Sequence, residues 1–228
     1  MFQSLLKTFL KPPCPLCQRS AQPLLCLDCE RQMDDCQLAA PDHSTSPVFA
    51  WGTYAGVLKR AIHVMKYENS PDIAQMLGQK LGQLWLAQPT WHAQAANRSL
   101  VVVPVPLHRD RLRQRGYNQA ELIASQFSRV TGLPCLPQGL LRVKATAAQH
   151  QLSPKDRQHN LKGAFRLGPD WSIERMQSRV LLIDDIYTTG TTARAAAIEL
   201  RHAGLRVLGV ATAARASLSR SGAALAAV

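Results

Sequence analysis

The sequence has few charged residues, few acidic ones among them, and no long hydrophobic run. Charged residues make up 18 % of the 228 residues, below the value of about a quarter that is usual in globular proteins. Asp and Glu number 15 against 27 Lys and Arg, which gives a net charge of +12. No apolar run approaches the roughly 20 residues of a membrane-spanning helix, so we expect no membrane insertion. The charge excess predicts a polyanionic partner: nucleic acid, phosphate or an anionic membrane surface.

Two common nucleotide-binding motifs are also absent. No G-x-G occurs, and neither pair of glycines spaced five apart is followed by Lys, which excludes a Walker A loop. The six cysteines do not resemble a disulfide framework, because Cys135 lies far from the other five. The first residues lack a signal-peptide cleavage site. We therefore expect a soluble, cytoplasmic protein.

The chain divides into three predicted parts. Residues 1–45 hold five cysteines and end in a polar, Pro-containing linker; residues 48–215 form the main domain; residues 216–228 form a disordered tail. In the main domain, apolar runs predict strands at 49–54, 100–103, 180–183 and 206–211, and helical periodicity predicts helices at 57–67, 73–86, 119–131 and 192–202. This alternation predicts an α/β fold with a parallel sheet flanked by helices.

Four cysteines have the spacing of a metal site. Two C-x-x-C hooks, Cys14 with Cys17 and Cys26 with Cys29, are separated by eight residues. Two such hooks complete a tetrahedral four-thiolate shell, and a closed shell of this kind stabilises its segment and leaves no open position for catalysis. We therefore predict structural Zn²⁺ in a small finger, although the spacer is shorter than in common zinc ribbons. The alternative is a redox C-x-x-C pair. Cys36 is interpreted as a bystander.

The segment 180–192 predicts an anion-binding turn. Four apolar residues lead into Asp184 and Asp185, which are followed by a turn of small residues that opens a helix. Backbone N–H groups at such a turn, beside a helix N-terminus, bind phosphate. Adjacent carboxylates would repel that anion, so they are expected to accept hydrogen bonds from ribose hydroxyls. The alternative is that the Thr residues of the turn merely cap the helix.

This segment resembles the 5-phosphoribosyl-1-pyrophosphate (PRPP) signature of type I phosphoribosyltransferases. Three further segments, 61–67, 103–120 and 146–165, narrow the resemblance to the ComF family, whose members join an N-terminal zinc finger to a phosphoribosyltransferase-like domain. The fold implied is the type I phosphoribosyltransferase-like parallel sheet. ComF proteins are associated with natural transformation and the handling of single-stranded DNA.

The resemblance also implies roles for individual residues. Asp184 and Asp185 would hold the ribose hydroxyls, and a pyrophosphate loop would comprise Leu107, His108 and Arg109. The 5-phosphate would lie on Thr188, Thr189, Gly190, Thr191 and Thr192. A flexible loop closing over PRPP would contain Arg142, Thr146, Gln149, Arg157 and Asn160. In phosphoribosyltransferases Mg²⁺ bridges the pyrophosphate and ribose oxygens.

The positive charge is concentrated in one part of the chain. Residues 98–166 carry 12 basic and three acidic residues, a net charge of +9 out of +12. Within this part Arg109, Arg111, Arg113 and Arg115 occur at every second residue, and Tyr117 follows. Guanidinium groups bind phosphate oxygens and an aromatic ring can stack on an unpaired base, so these five residues are predicted to contact nucleic acid. The alternative is a solvated charged loop.

Two functions remain open from the sequence. One is a competence factor that handles single-stranded DNA, retains a PRPP-binding site, and works with DNA-uptake or recombination proteins. The other is an active PRPP-dependent phosphoribosyltransferase acting on a base or an amine, although no segment indicates a pocket for a particular acceptor.

Overall fold

The fold is a parallel sheet covered by helices on both faces. A computed structural model describes residues 12–21, 23–38, 48–89, 91, 99–144, 161 and 163–216. The helices are α1 (Leu27–Asp34), α2 (Gly56–Tyr67), α3 (Pro71–Leu86), α4 (Arg109–Arg115), α5 (Gln119–Thr131) and α6 (Thr191–His202). The strands are β1 (Val48–Thr53), β2 (Leu100–Pro104), β3 (Leu140–Arg142), β4 (Phe165–Leu167), β5 (Arg179–Tyr187) and β6 (Arg206–Arg215). The predicted sheet and the N-terminal cysteine cluster are both confirmed.

The four main strands are arranged in the order β1-β6-β5-β2, and every neighbouring pair is parallel. All four therefore have their carboxyl ends at the same edge. Strand β2 is in register with β5, since Pro104 pairs with Ile183. The segments that follow these two strands consequently lie side by side, which is where open α/β sheets bind ligands.

Side chains of β5 alternate between two hydrophobic cores. Leu181 and Ile183 pack with α2, α3 and α5, while Val180 and Leu182 pack with α6 and the β3–β4 hairpin. Both faces of β5 are buried, as expected for a strand read from a continuous apolar run. Aromatic rings fill the first core, where Trp85 contacts Phe49 at 5.1 Å and Phe127 at 5.6 Å between ring centroids.

The N-terminal cysteine segment (residues 12–21 and 23–38) packs on the edge strand β1. The Thr53 N–H donates to the Cys36 carbonyl at 2.9 Å, and the Leu38 N–H donates to the Trp51 carbonyl at 3.0 Å. A Cβ at Gly52 would lie 2.7 Å from the Cys36 oxygen, so glycine permits this close approach. The segment thereby covers an edge that would otherwise present unpaired backbone groups.

Five elements differ from the sequence prediction. The hairpin β3–β4 was not predicted, because each of its strands has three residues and shows no usable alternation. Helix α4 was not predicted, because none of its residues is buried and it has no apolar periodicity. Strands β5 and β6 extend to Tyr187 and Arg215, beyond their apolar runs. Residues 39–47, which include the predicted linker 40–47, and residues 217–228 of the predicted tail 216–228 lie outside the described residues. Within the described part of the chain, no helix is long and apolar enough to cross a membrane.

Candidate functional site

A cavity of about 340 Å³ opens at the carboxyl ends of β2 and β5. Its wall combines two carboxylates, four basic side chains, two threonines and several uncharged groups. The charged members are Asp184, Asp185, Lys66, Arg111, Arg115 and Arg142. Excess positive charge beside a threonine-rich turn suits a polyanionic ligand with hydroxyl groups.

The turn between β5 and α6 forms one end of the site. Gly190 has a φ of 71°, and a Cβ there would lie 2.3 Å from the Tyr187 hydroxyl oxygen, so only glycine fits. The hydroxyls of Thr189 and Thr191 lie 2.8 Å apart. A second, smaller cavity of about 20 Å³ follows this turn and shares Asp184, Thr188 and Thr192 with the larger one. The N-terminus of α6 lies beside this small cavity, at the turn for which a 5-phosphate site was predicted.

The two adjacent carboxylates occupy different environments. Because strand side chains alternate, Asp185 lies on the face of Ile183, and Asp184 on the face of Leu182. Asp185 is 4 % exposed, and its oxygens lie 2.9 and 3.0 Å from the Lys66 ammonium. The Asp184 Oδ1 accepts a 2.8 Å hydrogen bond from the Asp185 backbone N–H. The negative charge of Asp185 is therefore balanced by Lys66, whereas Asp184 has no ion pair among the described residues.

The Asp184 carboxyl is harder to ionise than an ordinary aspartate. Burial and the neighbouring Asp185 carboxylate raise the pKa of Asp184 to about 7, although Lys66 and Arg142 partly offset the rise. A ligand or cation that brings positive charge to Asp184 would favour its ionised form. Asp184 is therefore the group whose charge state responds to what the cavity holds.

The alternating arginines separate onto two faces because Arg109–Arg115 is a helix, with about 100° between successive residues. Arg111 and Arg115 line the cavity, while Arg109 and Arg113 are exposed and do not. The four alternating arginines are thus two pairs, one in the cavity wall and one on the exposed surface.

The segment after β2 is fixed by hydrogen bonds. The Val105 N–H donates to the Ile183 carbonyl at 2.8 Å, and the buried Asn118 amide donates to the Val105 carbonyl at 3.3 Å. Of the predicted pyrophosphate loop, Leu107 lines the cavity. His108 caps α4 by accepting from the Asp110 N–H at 3.3 Å, and Arg109 is the first residue of that helix.

The predicted flexible loop is described in part. Arg142 lies on β3, lines the cavity and places its guanidinium 5.6 Å from the Phe165 ring centroid. Burial, followed by nearby Arg111, lowers the pKa of Arg142, and Asp184 opposes this shift. The other four members, Thr146, Gln149, Arg157 and Asn160, lie outside the described residues.

Polar residues of the cavity wall that were not assigned a role from the sequence are Lys66, Tyr67 and Gln119. Lys66 and Tyr67 end helix α2, and Gln119 begins α5, where its side chain accepts a hydrogen bond from Arg115. Lys66 and Tyr67 occur in a segment that carried the family resemblance, but nothing in the residue pattern indicated that α2 ends at the cavity. Tyr117, predicted to meet bases, is half-buried and donates its hydroxyl to the Met65 carbonyl.

The predicted metal ligands are brought together. The Sγ atoms of Cys14, Cys17, Cys26 and Cys29 all lie within 4.8 Å of one another, and those of Cys17 and Cys26 are 3.4 Å apart. Tetrahedral coordination at a Zn–S distance of about 2.3 Å places sulfur atoms about 3.8 Å apart, so this cluster has the size of a metal shell. Hydrogen bonds from Arg19 lower the pKa of the Cys17 thiol to about 6, which favours the thiolate that a metal requires.

The raised pKa of Asp184 predicts a pH-dependent stability. A carboxyl whose pKa is higher in the folded state stabilises the fold at low pH, and this contribution is lost as the pH rises from about 4 through about 7. Between pH 5 and pH 8 we expect the wild type to lose about 1–3 kcal/mol relative to Asp184→Asn, measured by urea unfolding. A difference between the two proteins that does not change with pH would contradict the shift.

Comparison with known proteins identifies relatives. No model of a protein family matches the chain. The chain is 44 % identical over 115 residues to Competence protein F of Haemophilus influenzae, covering 50 % of each protein. It is 34 % identical over 140 residues to DNA utilization protein YhgH of Escherichia coli K12, covering 61 % of the chain and 59 % of the relative. Competence protein ComFC of Bacillus subtilis is 28 % identical over 199 residues, covering 86 % of the chain and 74 % of the relative. The matches to the first two thus span 50 % and 59 % of their lengths.

Among solved structures, the adenine phosphoribosyltransferase of Leishmania tarentolae is similar at a TM-score of 0.37 and 14 % sequence identity. The alignment covers 68 % of this chain and 75 % of that one. Two of the sequence relatives, Competence protein F and ComFC, carry ComF names, and the four sequence segments resembled that same family. Over part of its length, the chain is a homologue of the proteins named Competence protein F, ComFC and YhgH.

Proposed function

We propose that the chain is a ComF-type factor of DNA uptake that handles single-stranded DNA and binds PRPP with Mg²⁺ in the cavity at the end of β5. The observation that carries the proposal is the combination, in one cavity, of the threonine turn, the paired carboxylates and four cationic side chains. The names of the relatives support the role in DNA use. The six cysteines of the chain form no disulfide with one another, which is compatible with a reducing cytoplasm.

Different residues of the cavity wall bind different parts of the proposed ligand. The turn 188–192 receives the 5-phosphate, and the Asp184 and Asp185 carboxylates face the ribose. Lys66, Arg111, Arg115 and Arg142 offer positive charge to the pyrophosphate, the most highly charged part of PRPP. Mg²⁺, when bound, would offset further negative charge of the pyrophosphate. Since Asp185 is paired with Lys66, Asp184 is the carboxylate expected to gain most from the metal.

The alternative function is catalytic transfer of the phosphoribosyl group. The cluster of cations favours it, because charge on the departing pyrophosphate is stabilised by positive groups held in place before the reaction. Transfer would break the bond from the ribose C1 to pyrophosphate and form one from C1 to an acceptor nitrogen, which gives up a proton.

The first test concerns PRPP. Calorimetric titration should show binding that requires Mg²⁺ and is lost in both Asp184→Asn and Asp185→Asn, because each removes a carboxylate from the cavity wall. The control is Glu174→Gln, an exposed residue near the other end of β5, which should bind as the wild type does.

Absence of PRPP binding in the folded wild type would refute the ligand assignment. Binding that is never followed by pyrophosphate release with any base or amine would refute the transferase alternative and leave the binding function intact.

The second test concerns the metal. We expect one Zn²⁺ per chain in protein purified without chelator, measured by elemental analysis, because the four-thiolate cluster leaves no ligand position open. Cys17→Ser/Cys29→Ser should lose the metal and unfold at a lower temperature, since the cysteine segment covers β1. Cys135→Ser, outside the cluster, should retain it. A metal-free wild type, or full zinc content in the double variant, would overturn the assignment.

The third test uses the division of arginines on α4. Binding to a fluorescent oligothymidylate should weaken steeply with salt, with a log–log slope of about −0.7 per phosphate contacted. Arg109→Ala/Arg113→Ala should reduce the size of that slope by about 1.4, since two outward phosphate contacts are lost. Arg113→Ala alone should bind PRPP as the wild type does, because Arg113 does not line the cavity and is not part of the predicted pyrophosphate loop.

The matched control is Arg201→Ala/Arg206→Ala, which removes the same charge from exposed residues at the amino ends of the strands. If the two double variants weaken oligothymidylate binding equally, the loss comes from the reduced net charge of the protein and not from a binding site on α4. If the wild type does not bind at low salt, the proposed DNA handling is refuted.

A further inference from the structure

Tyr67 is an exposed aromatic ring in the wall of the cavity. Its exposed fraction is 65 %, and among the Phe, Tyr and Trp residues that the structure describes it alone is largely exposed. It is the last residue of α2 and directly follows Lys66, which pairs with Asp185. An aromatic ring left in water beside a charged cavity forgoes the burial that such side chains normally gain. Packing of the domain therefore does not explain its position.

The ring is held in place by its neighbours. The His63 imidazole lies 4.8 Å from it between ring centroids, and the Arg115 guanidinium lies 5.9 Å from its centroid. Arg115 is itself anchored by donating to the side chain of Gln119, which is 5 % exposed. Tyr117 donates to the Met65 carbonyl and so fixes the last turn of α2. Tyr67 and Arg115 thus form a preorganised pair on one wall.

An exposed tyrosine beside a guanidinium matches the chemistry of a nucleobase. A base can stack on the ring, which contributes roughly 1–3 kcal/mol, and its ring nitrogens and carbonyl oxygens can accept hydrogen bonds from Arg115. A cationic amine, in contrast, would meet Lys66, Arg111, Arg115 and Arg142 around the same cavity. The charge of the wall therefore favours a neutral planar base over an amine.

We propose that Tyr67 and Arg115 form a nucleobase-binding subsite in the cavity wall. The subsite rests on the proposed function, in which PRPP occupies the carboxylate and threonine side of the same cavity. The base it takes is either a free nucleobase, as the acceptor of a transfer, or one base of single-stranded DNA. Both sources offer the same planar ring to Tyr67, and they are separated by the choice of probe.

The experiment compares Tyr67→Ala and Tyr67→Phe with the wild type. The probes are free adenine and guanine, each with and without PRPP–Mg²⁺, and two oligomers of equal charge, oligothymidylate and an abasic chain of the same length. Tyr67→Ala should weaken binding of a base-bearing probe about 5- to 100-fold, and Tyr67→Phe should restore it, because the ring and not the hydroxyl stacks. The loss of affinity in Tyr67→Ala should be far larger for the base-bearing probe than for PRPP–Mg²⁺ or the abasic chain.

The affected probe identifies the source of the base: loss confined to adenine or guanine assigns the free base, and loss confined to oligothymidylate assigns DNA. Leu86→Ala, another exposed residue at a helix end and outside the cavity wall, is the control for a general effect on stability. The proposal is overturned if Tyr67→Ala binds every base-bearing probe as the wild type does, or if Tyr67→Phe loses as much as Tyr67→Ala. Failure of PRPP to bind the wild type refutes the PRPP assignment alone, since base and oligomer binding are also measured without PRPP.

Discussion

The buried ion pair between Lys66 and Asp185 is the interaction on which the site depends. Two adjacent carboxylates at the end of a buried strand repel each other, and burial together with this repulsion raises the pKa of Asp184 to about 7. Lys66 neutralises Asp185 and joins helix α2 to strand β5 at the carboxyl edge of the sheet. Removing one partner of such a pair typically costs about 3–5 kcal/mol, because the other charge remains buried without compensation.

Helix α2 also connects the cysteine segment to the cavity. The Arg60 guanidinium donates to the Leu16 carbonyl at 3.0 Å, and the same helix ends with Lys66 and Tyr67 in the cavity wall. The Lys80 ammonium on α3 pairs with Asp34 on α1 at 2.7 Å and lies 5.5 Å from the Trp51 ring centroid. The cysteine segment is thus held by side chains of the main domain as well as by the edge of β1.

The sequence predicted most of the sheet and one half of the candidate site. Apolar runs located β2 and β5, and the small residues after Asp185 located the turn before α6, because both signals are contiguous in the chain. Helix α4 escaped prediction, since its seven residues are almost all polar and none is buried. Because α4 was not predicted, the four alternating arginines were interpreted as one group. The helix places Arg111 and Arg115 on one face and Arg109 and Arg113 on another.

The sequence by itself determined the four-cysteine cluster, the small-residue turn after β5, the adjacent carboxylates and the location of the excess charge. These features consist of neighbouring residues, whose spacing limits their geometry. The tertiary structure alone decided that Asp185 is paired with Lys66, 119 positions earlier in the chain, and that Tyr67 rather than Tyr117 is exposed in the cavity. Such contacts depend on the parallel order of the strands and on where α2 ends, and no local pattern of residues encodes the distance between elements that are remote in sequence.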